Sequence, residues 1–418
     1  MILKSIRISQ LYLFLKLKKS LRNKTDLTSQ LNPMEVLQYF HMNGGTSETG
    51  YASNSSLQKR GIEVTKPIIQ EAILEIINSI SSGKDIPKSI SIAEMGCSSG
   101  PTALLVVSYI IDTIYNNYGA LSGSPHPEIL VFLNDLSSND FNLIFKSLQG
   151  FYDQLKKTYN SLGDADDDQK QHRCFVAGIP GSFYGRLFPS RSLHFVHSSY
   201  SLHWLSQSPQ GIKKSNKGNG YMAESSPPSV LEAYLKQFER DFYSFLKCRF
   251  EEIVKGGRLV LTVCGRADDT SPSREMRCFG WGLLAEALRE MVSQGKIEEG
   301  KLDSFNMPLY IPSPSEVKSV ILNEGSFIIN RLETFEVTSG EAFLLKDEDD
   351  DDDYKITAGK NFANFTRALS ESLVVSHFGE EIIEELYKRC REIVAPRLSR
   401  DRSMKNKHIS IVISLTRE

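Results

Sequence analysis

The chain has 418 residues, 40% of them hydrophobic and 24% charged, with a formal net charge of -2. That length can bury a large core, and the near-neutral balance, with no basic stripe beyond the extreme N-terminus, argues against a nucleic-acid partner. Cys97, Cys174, Cys248, Cys264, Cys278 and Cys390 form no C-x-x-C pair, which fits reduced thiols in a cytoplasmic protein rather than a disulfide scaffold or zinc site, and no apolar run is long enough to span a bilayer.

Residues 1–33 carry Lys4, Arg7, Lys16, Lys18, Lys19, Arg22 and Lys24 against one acid, Asp26, around the short apolar patch Leu11 to Leu15. Lys16 cuts that patch too short for a secretory signal, so the segment reads as a disordered basic leader, or as upstream sequence before a start at Met34. The scarcity of acids leaves an organelle transit peptide open as a second reading. Residues 34–418 read as one domain. It begins with a polar, Gly-rich stretch, MEVLQYFHMNGGTSETGYASNSSLQKR, which is either a lid over a ligand or a plain loop. Val64 to Ile80 then shows helical spacing at Ile68, Ile69, Ala72, Ile73, Ile76 and Ile77.

Ser91 to Ile111, SIAEMGCSSGPTALLVVSYII, predicts a buried strand, a Gly-rich turn and an apolar helix. Pro101 sits where a first helical turn tolerates a missing N–H. Gly96 and Gly100 allow close backbone approach to a ligand, and the helix N-terminus beyond favours polar or negative groups. This describes a nucleotide cradle, although the glycine spacing is neither G-x-G-x-x-G nor a P-loop, and a tight structural turn reads the same way.

PEILVFLNDL is a second strand ending in Asn134 and Asp135; an acid at that tip takes ribose hydroxyls after a cradle, or starts a helix. Asp164 to Asp168 reads as a solvated loop, and Arg173 to Gly178 as a third strand leading into IPGSFYGRLFP. Ser192 to His197 is a fourth strand, running into SSYSLHWLSQSP. Tyr200, His203 and Trp204 there cluster past a strand end, where open parallel sheets bind ligands. Val230 to Ile253 is a helix ending at Gly256 and Gly257, and RLVLTVCGR is the fifth strand. This alternation implies a doubly wound α/β fold with a parallel sheet. Arg274 to Ser293 reads as a helix carrying Trp281, and Pro308, Pro312 and Pro314 forbid helix in the segment after it. Phe327 to Val337 and His408 to Leu415 are strand-like and close the far edge. The seven acids Asp347 to Asp353 mark a disordered insertion near 346–354, and Phe362 to Val394 returns to helix.

GCSSGP, FLNDL with NDFN after it, PGSFYGRLFP, HSSYSLHWLSQ, GGRLVLTVCGR, LDSFN and HFGEEII, taken in order from about Met34 to the C-terminus, closely resemble the plant SABATH methyltransferases. The resemblance implies a Rossmann-like S-adenosylmethionine-dependent methyltransferase sheet with a helical cap, usually as a homodimer. It implies methyl transfer from S-adenosylmethionine to a small carboxylic acid of the salicylate, benzoate or jasmonate kind. N-methylation of a xanthine, or cofactor binding without turnover, are the competing readings. The cofactor would meet Tyr51, Ser55, Glu94, Gly96, Cys97, Thr102, Asp135, Leu136, Ser182 and Phe183. The acceptor would meet Gln58, Tyr200, His203, Trp204, Trp281 and Tyr310. Some members carry magnesium near positions matching Asn216, Asp303, Phe305 and Asn306. The family usually has Asp at Glu94 and Asn at Thr102; its salicylate-type members carry a bulky aliphatic residue at Gly280 and often Met at His203. A carboxylic acid is already ionised at neutral pH, so such a transfer needs alignment and no general base. The Gln58 amide and Trp204 indole N–H would each hold one carboxylate oxygen.

Overall fold

The computed structural model describes residues 39–81, 87–122, 126–160, 173–212, 215–267, 280–338, 352–398 and 407–418. Strands β1 (Ser89–Met95), β2 (Glu128–Asp135), β3 (Cys174–Pro180), β4 (Leu193–Ser199), β5 (Ile253–Cys264), β6 (Phe327–Thr338) and β7 (Lys407–Arg417) form one sheet, in the order β3-β2-β1-β4-β5-β7-β6. The first five pair in parallel, and β7 runs antiparallel between β5 and β6. Parallel neighbours need crossover connections, which here contain helices: α2 (Thr102–Ser122) between β1 and β2, α3 (Phe141–Asn160) between β2 and β3, and α4 (Pro228–Glu252) between β4 and β5, while α1 (Ser56–Ser81) precedes the sheet. Side chains of β1 divide accordingly. Ile90 and Ile92 join a core with α1 and α2, whereas Ala93 and Met95 join a larger core with α4 and the later helices. Both faces of β1 are therefore buried.

The later helices are α5 (Trp281–Ser293), α6 (Glu299–Ser304), α7 (Pro314–Glu324), α8 (Asp352–Phe378) and α9 (Ile383–Leu398). Strand order reverses between β1 and β4, and the crevice beyond their C-terminal ends is where an open α/β sheet binds ligands.

Several boundaries differ from the sequence reading. Helix α1 begins at Ser56 rather than Val64, so Gln58 lies in its first turn. It runs on through Pro67, carried by the buried face Ile62, Ile69, Ile73 and Ile77. Strand β5 starts directly after α4, and Gly256 and Gly257 lie inside it. Its register against β4 shifts there, Gly256 has a φ of 77°, and a side chain on Gly257 would press on the His194 carbonyl; the glycines make a bulge, not a helix stop. Residues 362–394 form two helices, because Gly379 with a φ of 101° ends α8 before α9. The basic leader lies outside the described residues, as does the acidic run up to Asp351, while Asp352 and Asp353 open α8. Among the described residues no helix is long and apolar enough to cross a membrane.

Candidate active site

Two cavities adjoin beyond the strand ends and share Met42, Tyr51, Tyr200 and Trp204 as common wall. The first holds about 630 Å³ of space, part of it open to solvent. Gly96, Ser98, Asp135, Leu136, Ser182 and Phe183 line it, with Phe40 and His41 from the chain ahead of α1. Asp135, at the tip of β2, accepts the backbone N–H of Ser98 (2.7 Å) on one carboxylate oxygen and that of Leu136 (2.8 Å) on the other. Removal from bulk water pushes its pKa up to about 6, against the lowering pull of those two N–H groups and of His41. Ser98 takes a φ of 54°, and the Asn139 amide holds its carbonyl at 2.8 Å. Gly96 has a φ of 75°, and a Cβ there would collide with the Ser201 side chain; the close approach that this glycine permits is made by Ser201.

Not every residue expected at the cofactor reaches this cavity wall. The Glu94 carboxylate points to Nδ1 of its cross-strand neighbour His197 at 2.6 Å, with both side chains buried. Ser55 Oγ and Thr102 Oγ1 lie 3.3 Å apart, bonded to each other. The Cys97 thiol turns to the Ser98 carbonyl, and burial raises its pKa well above the ordinary value. Conversely, sequence reasoning missed Phe40, His41, Met42, Ser98, Tyr184 and Ser201, all on the lining. Ser98 and Ser201 neighbour recognised motifs, whereas nothing local marks Phe40 to Met42. That segment is placed by distant bonds: Ser372 Oγ accepts the His41 N–H, and Glu371 accepts from the Asn43 amide, both acceptors on α8.

The turn carrying Ser182 and Phe183 is held from beneath by α4. Arg249, fully buried, donates to the carbonyls of Phe183 (2.7 Å) and Gly185 (3.0 Å) and to the Glu252 carboxylate (2.7 Å). The other Glu252 oxygen accepts the N–H of Leu187 (2.6 Å) and of Phe188 (3.1 Å). Both charges are thus paired and hydrogen-bonded, the condition under which burial is tolerable. Neither residue stood out in the sequence.

The second cavity, about 430 Å³, is lined by Gln58, Tyr200, His203, Trp204 and Trp281 with Leu57, Cys264, Leu309, Ile311, Phe365 and Leu369. Tyr310 is not part of this lining. Leu309 bridges to Trp204 in an antiparallel pair, and in extended chain alternate side chains face opposite ways, so Leu309 and Ile311 face the cavity. Tyr310 instead donates to Glu316 at 2.9 Å and packs on Phe238. Tyr200, at a φ of 57°, is held by its N–H to the Thr262 carbonyl (2.7 Å) and its hydroxyl to Ser410 (3.0 Å), and Gly61 leaves room for its ring. His203 Nδ1 accepts the Cys264 N–H at 3.4 Å, and burial pulls its pKa down to about 3. It is therefore neutral, with its proton on Nε2. The Trp204 ring meets Trp281 edge-on at 6.1 Å and Phe40 at 4.7 Å. Two buried polar atoms here have no partner among the described residues: Gln58 Oε1 and Trp281 Nε1. Gly280, with a φ of 76°, has the Phe362 ring where a Cβ would stand, so Phe362 takes the room that a bulky side chain would need.

Asn216, Asp303, Phe305 and Asn306 do not fit magnesium, which demands an octahedron of free oxygens. The Asn216 amide donates to the Tyr221 carbonyl (2.9 Å) and to Asn306 Oδ1 (2.6 Å), and its own oxygen accepts from Ser226 (2.6 Å) and Asn219 (3.1 Å). Asp303 lies 3.9 Å from Lys217, and Phe305 packs on His377 and Phe378. The unpartnered buried atom in the group is Asn306 Nδ2, a donor, which has the wrong sign for a cation. Among the described residues no group of three or more His, Cys, Asp or Glu could hold a metal.

The sequence profile described as SAM dependent carboxyl methyltransferase matches residues 37–418. A probable jasmonic acid carboxyl methyltransferase of Theobroma cacao is 46% identical over 392 residues, covering 92% of this chain and all of that protein. Salicylate carboxymethyltransferase of Clarkia breweri is 45% identical over 385 residues, covering 92% of this chain and 99% of that one. Among solved structures, loganic acid methyltransferase with SAH superposes with a TM-score of 0.75 at 31% identity, covering 90% of this chain and 98% of that one.

Proposed function

The chain belongs to the S-adenosylmethionine-dependent carboxyl methyltransferase family, and on that premise we propose that it esterifies a small acid of the jasmonate, salicylate or benzoate kind. The observation that carries this reading is the pair of cavities sharing one wall, one with a ribose-type acid at its edge and the other uncharged and rich in N–H donors. The first cavity suits S-adenosylmethionine on this chain's own features: the Asp135 carboxylate at the strand tip, the buried unpartnered Ser98 Oγ, and the Phe183 ring. When bound, that cofactor supplies an electrophilic methyl group on a sulfonium.

The protein's part is alignment. Asp135 receives the ribose hydroxyls, and Phe183, clamped by Arg249, gives the adenine a flat wall. On the acceptor side the Gln58 amide and the Trp204 indole N–H take one carboxylate oxygen each, leaving a lone pair aimed across the shared wall. The carboxylate arrives ionised, so no side chain need remove a proton. The neutral His203 donates or shapes without adding charge, and Leu57, Leu309, Ile311 and Phe365 exclude water from the reacting atoms.

The test is methyl transfer from labelled S-adenosylmethionine to jasmonate, salicylate, benzoate, indole-acetate, gibberellate and xanthines, with products identified by mass. A methyl ester from one of the acids is expected. N-methylated xanthine with no ester, or cofactor binding with no product at all, would overturn the proposal.

A further inference from the structure

We infer that the acceptor carries a second oxygen, remote from its carboxylate, which receives the indole N–H of Trp281. This rests on the carboxylate-acceptor reading above and deepens it. Trp281 is 2% exposed, lines the acceptor cavity, and its Nε1 has no acceptor among the described residues. Buried donors are almost always paired, and an unpaired one carries a penalty equivalent to roughly tenfold or more in an equilibrium. Phenylalanine would form the same kind of apolar wall without that penalty, so the N–H calls for a partner that the described residues do not supply.

Counting donors leads to the same place. A carboxylate poised for attack needs its two oxygens held, and the Gln58 amide with the Trp204 N–H suffices. The Trp281 N–H is then in excess, on a wall whose other members include Leu57, Leu309, Ile311 and Phe365. Its ring has little freedom. It opens α5 behind Gly280, whose left-handed backbone is backed by the Phe362 ring, and it meets Trp204 edge-on. A plain hydrocarbon acid would leave this N–H as it stands. A keto, ether or hydroxyl oxygen on the acceptor body would satisfy it, and a site built to bond an oxygen discriminates strongly against the analogue lacking it.

Matched pairs of acids differing by one oxygen remote from the carboxylate provide the test: 4-hydroxybenzoate with benzoate, 3-oxocyclopentylacetate with cyclopentylacetate, and 4-acetylbenzoate with 4-ethylbenzoate. In the wild type, kcat/KM should favour the oxygenated member of at least one pair by about tenfold or more. In Trp281→Phe that ratio should fall to within about twofold of unity, since lost packing penalises both members while the lost N–H penalises only one. Esters formed with no such preference in any pair, or a preference untouched in Trp281→Phe, would overturn the inference and leave the carboxylate reading intact. No ester from any acid would overturn that reading, and this one with it. Should Trp281→Phe not fold, the wild type decides. The chain has two tryptophans, so 15N-indole spectra of the S-adenosylhomocysteine complex resolve Trp204 and Trp281. The oxygenated acid should displace both indole protons downfield and its deoxygenated partner only that of Trp204; a Trp281 proton equally displaced by both, or by neither, would overturn the inference.

Discussion

Lowering the pH from 7 to 5 should weaken the binding of S-adenosylhomocysteine about tenfold, and Asp135 should be the cause. In the free protein its carboxyl titrates at about 6. It is then about nine-tenths ionised at pH 7 and about one-tenth at pH 5. Ribose hydroxyls donating to the carboxylate would favour the charged form, so the bound group should titrate lower. With a bound pKa of about 4 or lower, the affinity ratio between the two pH values is about 11 to 1.1, or ~1.4 kcal/mol. The sign for the free fold is opposite. A carboxyl whose folded pKa lies above its unfolded value contributes stability below the unfolded pKa, and that contribution is lost as pH rises through about 6. Neutral pH therefore leaves the apoprotein with an unfavourable anion, and the ligand relieves it. Titration calorimetry at pH 5, 6 and 7, in two buffers of different ionisation heat, reads both the affinity and the proton released on binding. Asp135→Asn should bind more weakly at pH 7 and lose the pH dependence. Affinity constant within twofold from pH 5 to 7, or an unchanged slope in Asp135→Asn, would refute the reasoning.

Other outcomes follow from the same geometry. Glu252→Gln leaves the Arg249 guanidinium buried without its counter-charge, and denaturant unfolding should show a loss of about 3–5 kcal/mol with weaker S-adenosylhomocysteine binding; a loss under about 1 kcal/mol would discount the clamp. Trp204→Phe keeps the ring and removes one donor to the carboxylate, so kcat/KM should fall by about tenfold or more; unchanged efficiency would remove Trp204 from the alignment. Dialysis against a chelator should leave the methylation rate unchanged, because the amides of Asn216 and Asn306 are engaged with each other. A loss reversed by magnesium would show that this cluster opens to a cation.

The strands, most of the helices and the placement of the polar motifs at the strand tips were legible in the sequence. Periodicity and backbone chemistry are local, and GCSSGP, FLNDL and SYSLHW sit at the ends of β1, β2 and β4 as their spacing implied. Resemblance between whole motifs then supplied expected roles that spacing could not. What tertiary structure decided was which side chains turn toward the cavities. Tyr310 and its neighbours Leu309 and Ile311 are indistinguishable by pattern, and the bridge from Leu309 to Trp204 selects the face. Glu94 meets His197, 103 positions away, instead of the first cavity, because β1 and β4 are sheet neighbours. Phe40 to Met42 line the cavity because α8, more than three hundred residues later, provides the bonds that hold them. Each of these outcomes depends on a contact between distant segments, whose energy exists only once the sheet has brought them together.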